Sequence, residues 1–208
     1  MNKLDDSDAY GILKEYGIPL ASFILAKNAD DAVSFAEKTG YPIFLKIDAQ
    51  IVHKAKFGCV RRVCNAKTVE KAYYDIMENA RKVTNKINGV IVQELIEGKE
   101  VIVGAKRDPQ FGTIIMFGTG GVTANVLKDV AFRMSPLSKN DVEGMVTETK
   151  AYLAFEELSS KKVLGSVSSI ISSVADIMED DPKIKEIDVN PVFISEDRVV
   201  AADVRFIL

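Results

Sequence analysis

The C-terminal stretch KIKEIDVNPVFISEDRVVAADVRFIL alternates apolar and polar residues on both sides of a short polar turn. A period of two over this length predicts two antiparallel strands, near 184–194 and 198–207. A two-residue turn at Glu196-Asp197 sets Ser195 against Arg198, and so Asn190 against Asp203 and Asp188 against Arg205. Side chains at i and i+2 share a face, so these four project together, while Ile187, Val189, Val204 and Phe206 take the apolar side. Directly opposed Cβ atoms lie about 5 Å apart. One hard cation could then bridge the Asn190 amide oxygen and the Asp203 carboxylate. Mg²⁺ suits such a pair, because it takes one or two protein oxygens and fills its octahedron with phosphates and water. The same pattern also fits a solvated polar face with an Asp188–Arg205 salt bridge.

The rest of the chain interleaves helix and strand signals. Helices are predicted from about Asp5–Ser7 to Tyr16, from Asn28 or Asp30 to Thr39, from Thr68 to about Val83, and near 138–152 and 160–179. Strands are predicted at Ser22–Ala26, Pro42–Ile47, Val60–Cys64, 89–95, 99–106 and 112–118. Glu97-Gly98 reads as a tight hairpin joining the strands 89–95 and 99–106. The order is mixed α/β without the strict alternation of a doubly wound sheet. A helix-rich part, 1–93, precedes a strand-rich part, 94–208.

Composition narrows the chemistry. A single histidine in 208 residues leaves little material for a Ser-His-Asp hydrolase or a multi-histidine metal site. A net charge of −3 argues against nucleic-acid binding, which needs clustered positive charge. No apolar run approaches a bilayer span, and the acidic start MNKLDDSDAY does not resemble a secretory leader. Two sparse thiols, Cys59 and Cys64, suit a reduced, cytoplasmic setting.

Four further features could carry chemistry. Lys46 closes the apolar run YPIFLKI, where an ammonium is costly unless it meets an anion or reaches water at the strand end. His53, in AQIVHKAKFGC, can accept and release a phosphoryl group or be an ordinary loop histidine. Glu94 and Glu100 flank the expected hairpin, and the end of its first strand could offer backbone groups to an adenine edge. Gly118-Thr119-Gly120-Gly121 could form an anion nest or a plain turn, and it matches neither the dinucleotide fingerprint nor the P-loop.

Taken in order, LKEYGIP, GYPIFLKI, IVHK, GVIVQELIEGKEVIVGAKRDPQFGTIIMFGTGGV, LKDVAFRMSPL and EIDVNPVF…AADVRFIL resemble the ATP-grasp β subunit of ADP-forming acetyl-CoA synthetases. The resemblance implies a two-lobed ATP-grasp fold with a nucleotide cleft between the lobes, binding ATP or ADP with Mg²⁺. By matching position, Lys46 would contact phosphates, and Glu94 and Leu95 would line the adenine hinge. Glu100 would lie by the ribose, Asn190 and Asp203 would hold Mg²⁺, Arg133 would neutralise phosphate, and His53 would relay a phosphoryl group. The implied reaction is acyl-CoA + ADP + Pi = acid + CoA + ATP. It requires a CoA-binding α subunit and hence a hetero-oligomer.

Several positions depart from the family pattern: Ala55, Lys56 and Gly58-Cys59-Val60 after His53-Lys54, Asn125 where an acidic residue is usual, and LAFEELSSKK in place of a Gly- and Arg-rich segment. These departures keep two other readings open, a regulatory or scaffolding ATP-grasp subunit without turnover, and a related ligase that forms an acyl phosphate.

Overall fold

The computed structural model describes residues 3–51, 53–121, 129–156, 161–195 and 198–208. The expected turn at Glu196-Asp197, the position of Asn125 and part of LAFEELSSKK lie outside them. The described chain divides into two compact units. One comprises Asp5–Asp8 and Ala21–Ile96; the other comprises Ala9–Leu20 and Glu97–Leu208 with the N-terminal residues up to Leu4.

In the first unit, strands β1 (Phe23–Ala26), β2 (Ile43–Asp48), β3 (Val60–Val63) and β4 (Gly89–Glu94) form an antiparallel sheet in the order β1-β4-β2-β3. Helices α2 (Ala29–Thr39) and α3 (Val69–Arg81) cover one face. Asn28 starts α2, its side chain accepting the Asp31 N–H at 2.8 Å. Ile43, Leu45, Ile47, Val90 and Val92 bury against Ala32, Ala36 and Ile76 of these helices. Alternation therefore sends Phe44, Lys46 and Asp48 to the opposite face, with Ile91 and Gln93 beside them on β4.

The second unit holds strands β5 (Lys99–Asp108), β6 (Gly112–Thr119), β7 (Val130–Met134), β8 (Glu186–Ile194) and β10 (Val204–Ile207) in the order β10-β8-β5-β6-β7. Strand β9 (Val199–Ala201) also pairs with β8. Helices α4 (Lys139–Thr147), α5 (Lys150–Glu156) and α6 (Lys161–Asp180) pack on one face. Val103, Ile115, Phe117, Ile187, Val189 and Phe206 form the buried side beneath them. Arg107 of β5 ties down the C-terminal end of α6. Its guanidinium donates to the Ile184 carbonyl at 2.9 Å, to the Asp181 carbonyl at 3.2 Å and to the Met178 carbonyl. The remainder of helix α1 (Asp6–Glu15) belongs here, where the Tyr10 hydroxyl donates to the Ala202 carbonyl at 2.8 Å.

Three expectations need correction. The strands 89–95 and 99–106 do not form a hairpin: β4 pairs with β1 and β2, and β5 with β6 and β8, in separate sheets. Glu97-Gly98 is a crossing between sheets, and the glycine is needed because a Cβ there would lie 2.5 Å from the Ile194 carbonyl oxygen. Strand β7 was not expected; it pairs with β6 through Ile114–Gly118. The helix expected over 138–152 is two helices. Ser138 and Asp141 form a capping box for α4, while the Asp129 carboxylate accepts the N–H groups of Lys150 (2.9 Å) and Ala151 (3.1 Å) at the start of α5. Among the described residues no helix is long and apolar enough to cross a membrane.

Candidate nucleotide and metal site

The C-terminal strands pair as their alternation predicts. Val204 lies opposite Val189, Arg205 opposite Asp188, and Ala201 opposite Val192. Between these pairs the Asn190 N–H donates to the Asp203 carbonyl at 3.1 Å, and the Ala202 N–H donates to the Pro191 carbonyl at 3.0 Å. Asn190 and Asp203 are therefore cross-strand partners on the face away from the helices. Asn190 is half-buried and Asp203 exposed.

The next row on this face runs Arg205, Asp188, Gly104, Met116 and Phe132 across five strands. Arg205 donates to Glu186 at 2.7 Å and to Asp188 at 3.3 Å. Burial pushes the Asp188 carboxyl above the usual carboxylate range; Glu186 and Asp203 push the same way, and Arg205 opposes them. The other Asp188 oxygen, Oδ1, is buried without a hydrogen-bond partner. Glu186, Asp188 and Asp203 thus gather carboxylates near Asn190, with Arg205 as counter-charge, and carboxylate and amide oxygens suit a hard cation. No group of three or more His, Cys, Asp or Glu with metal-holding geometry occurs among the described residues. An Asn–Asp pair fits Mg²⁺, whose remaining ligands come from phosphate and water.

The same face carries a cavity of about 440 Å³, walled by Ile102, Ile114, Met116 and Phe132 and edged by Lys106 and Arg205. Sequence reading missed it, because Phe132 sits on the unexpected strand β7. The signal was present in alternation: Phe132 and Met134 are exposed apolar residues flanking Arg133.

Glu100, near the start of β5, is exposed, and its carboxylate lies against Gly121. Gly121 has φ +72°, and a Cβ there would collide with that carboxylate. Arg133 is not brought to Asn190 and Asp203. Its register partner is Ile115, on the helix-covered side of the sheet, and its guanidinium pairs with Glu148 at 2.5 Å.

In the first unit, Lys46 is buried and pairs across the ladder with Ile91 and Val60. Two other buried polar side chains, Gln93 and Asp48, share its face. Glu94 ends β4, its carboxylate accepting the Ser22 N–H at 2.7 Å and its own N–H donating to the Ser22 carbonyl at 2.9 Å. Leu95 follows just outside the ladder. His53 is exposed and opens a 3₁₀ turn over Lys54–Phe57 with φ 56° and ψ 43°.

Two antiparallel sheets of this topology, each covered on one face by helices, define an ATP-grasp protein. The sequence profile of the ATP-grasp domain family matches residues 1–208, and the chain belongs to that family. Within it, the chain belongs with the β subunits of ADP-forming acetate–CoA ligases. It is 42% identical to the acetate–CoA ligase [ADP-forming] I subunit beta of Pyrococcus furiosus, over 99% of this chain and 91% of that one. Against the acetate–CoA ligase [ADP-forming] I of Archaeoglobus fulgidus it is 39% identical, over 95% of this chain but only 30% of the relative. A dinucleotide-forming acetyl-coenzyme A synthetase 1 of Ca. Korarchaeum cryptofilum, solved with coenzyme A and Mg-AMPPCP, superimposes with a TM-score of 0.81. It is 33% identical, covering 99% of this chain and 92% of that one, and its phosphohistidine segment points towards the nucleotide binding site.

Proposed function

We propose that this chain binds ATP or ADP with Mg²⁺ and exchanges the γ-phosphoryl group with His53, within the reaction acyl-CoA + ADP + Pi = acid + CoA + ATP. The observation that carries the reading is the cross-strand pairing of Asn190 with Asp203 on the face away from the helices. Mg²⁺, when bound there, neutralises charge on the phosphate oxygens. Lys46 contacts the phosphates, Glu94 and Leu95 border the adenine, and Glu100 borders the ribose. Arg133 is left out of this set, because Glu148 holds it on the helix-covered side of the sheet.

In the forward exchange from ATP, an imidazole nitrogen of His53 forms a bond to the γ-phosphorus. The bond from that phosphorus to the bridging oxygen breaks, and ADP leaves with the electron pair. His53 then passes the group to a partner. A partner is expected because the Pyrococcus furiosus relative, 42% identical and covered over 91% of its length, is a subunit beta. We assign CoA binding to an α subunit, acetate to the acid, and the cytoplasm to the complex.

The test is incubation of the purified assembly with ATP radiolabelled at the γ position. An acid-labile, base-stable label mapped to His53 supports the relay. Nucleotide binding without any such label would establish the silent, scaffolding reading instead.

A further inference from the structure

We propose that Asp6 and Lys54 are positioning residues that lock the His53 segment onto the end of β2, an inference that rests on the phosphoryl relay assigned above to His53. The lock is built in three steps within the first unit. Asp48, the last residue of β2, is fully buried, and its Oδ1 accepts the N–H groups of Asp6 at 2.8 Å and Ser7 at 3.3 Å. A strand residue thereby caps the first turn of α1. The Asp6 carboxylate in turn receives the ammonium of Lys54, the residue immediately after His53. Both side chains are nearly removed from water, 4% exposed for Asp6 and 10% for Lys54.

A lysine on a polar surface loop ordinarily keeps its ammonium solvated. Burying the pair costs desolvation that the attraction offsets only in good geometry, so such a pair contributes position more than stability. The backbone around it is also closed. The Lys56 N–H donates to the His53 carbonyl at 2.8 Å, the Cys59 N–H to the Lys54 carbonyl at 2.9 Å, and the Asn79 amide to the Gly58 carbonyl at 3.2 Å. His53 itself adopts a left-handed backbone that side-chain-bearing residues seldom take. Its neighbours supply the restraint that keeps it there.

The outcome is a fixed backbone carrying an exposed imidazole. The ring can turn about its own side-chain torsions while its Cα stays in place, which preserves the line of approach to phosphorus. Lys54, although beside His53 and cationic, directs its charge inward to Asp6. Lys56, which is exposed, keeps the cationic character of the segment.

The experiment compares the wild-type chain with Asp6→Asn, Lys54→Gln and Asp6→Glu. Lys54→Gln leaves the helix cap from Asp48 intact, so it stays informative even where Asp6→Asn unfolds α1. Amide exchange is read first on the chain alone. Exchange at Lys56 and Cys59 is expected to speed up by about tenfold or more in Lys54→Gln, while Val90–Val92 of β4 stay protected. Unchanged exchange at those two amides overturns the lock.

Phosphoryl transfer to His53 is then timed in the native assembly. The rate is expected to fall about 10- to 100-fold at unchanged nucleotide KM, with substantial recovery in Asp6→Glu. A purely structural role would lower the active fraction without this split or this recovery. Faster exchange with an unaltered transfer rate would overturn the positioning role. If wild-type His53 carries no phosphate at all, the relay itself is refuted, and the exchange measurement still decides whether the lock exists.

Discussion

The amide of Asn190 donates to the carbonyl of Asp203 at 3.1 Å, which extends the Val189–Val204 register by one step and makes the two residues cross-strand neighbours. Asp203→Ala should therefore weaken Mg-nucleotide binding about 10- to 100-fold, the range in which metal sites lose affinity with a supporting group. The fold should persist, since Asp203 is exposed. Calorimetric titration of Mg-ADP into wild-type and variant checks this. Equal affinities, or an unaltered Mg²⁺ requirement, would remove the metal assignment.

His53→Ala should abolish the acid-labile phosphoenzyme and leave ADP affinity as it was. The side chain is exposed and outside both strand ladders, so its loss should not disturb either core. Complete acyl-CoA synthesis by this variant would end the relay.

Arg107→Ala should destabilise the second unit by about 2–3 kcal/mol, because it strips carbonyls at the end of α6 of their donor. Arg107→Lys should recover only part of the loss, since one ammonium cannot reproduce a planar fork that serves Ile184, Asp181 and Thr113 at once. Urea unfolding midpoints of the three proteins measure the difference.

Two carboxylates should give opposite pH signatures. For Asp129, burial alone would raise the pKa, but the Thr119 hydroxyl, the N–H groups of Lys150 and Ala151, and the Lys150 charge together hold it below the ordinary value of 3.8. Its folded pKa is depressed, so its contribution is present above 3.8 and is lost as pH falls through the folded value. Asp188 is raised above 3.8, so its ionisation is a penalty that is absent below 3.8, grows as pH rises from there toward the folded value, and is complete above it. Asp129→Asn should flatten the acid limb of the stability profile. Asp188→Asn should instead raise stability at neutral pH relative to acid. Melting temperatures from pH 3 to 7 in the two variants separate these effects, and parallel profiles would contradict both.

The sequence was most legible where alternation was long and the partner lay next in the chain. The Val189–Val204 and Asp188–Arg205 pairs follow directly from the apolar rhythm of residues 184–207. It was misleading at Glu97-Gly98, where turn chemistry is the same for a hairpin and for a crossing between sheets. Only the long-range partners, β1 and β2 for β4, decide between them. Strand β7 escaped because it is five residues long and carries two exposed apolar side chains, so it lacks a clean buried face.

Long-range side-chain contacts were invisible for a related reason. Asp129 caps a helix that starts at Lys150, and Asp48 caps one that starts at Asp6, so neither cap shows as a local motif. Arg133 entered through matching position alone, and nothing local in the sequence shows that its guanidinium pairs with Glu148. For Lys46, strand parity kept it clear of the helix-packed core, beside Gln93 and Asp48.

The pairing of Asn190 with Asp203 consequently depends on the number of residues between Ser195 and Arg198. Adding or removing a pair of residues between Ser195 and Arg198 would leave every side chain on its side of the sheet. A single insertion there, absorbed as a slip of one strand past the other, would drive Asp203 into the apolar layer and lift Val204 into water. Length variation among homologous chains at this bend should therefore come in even steps wherever magnesium chemistry survives, and an odd step would mark a lineage that has abandoned it.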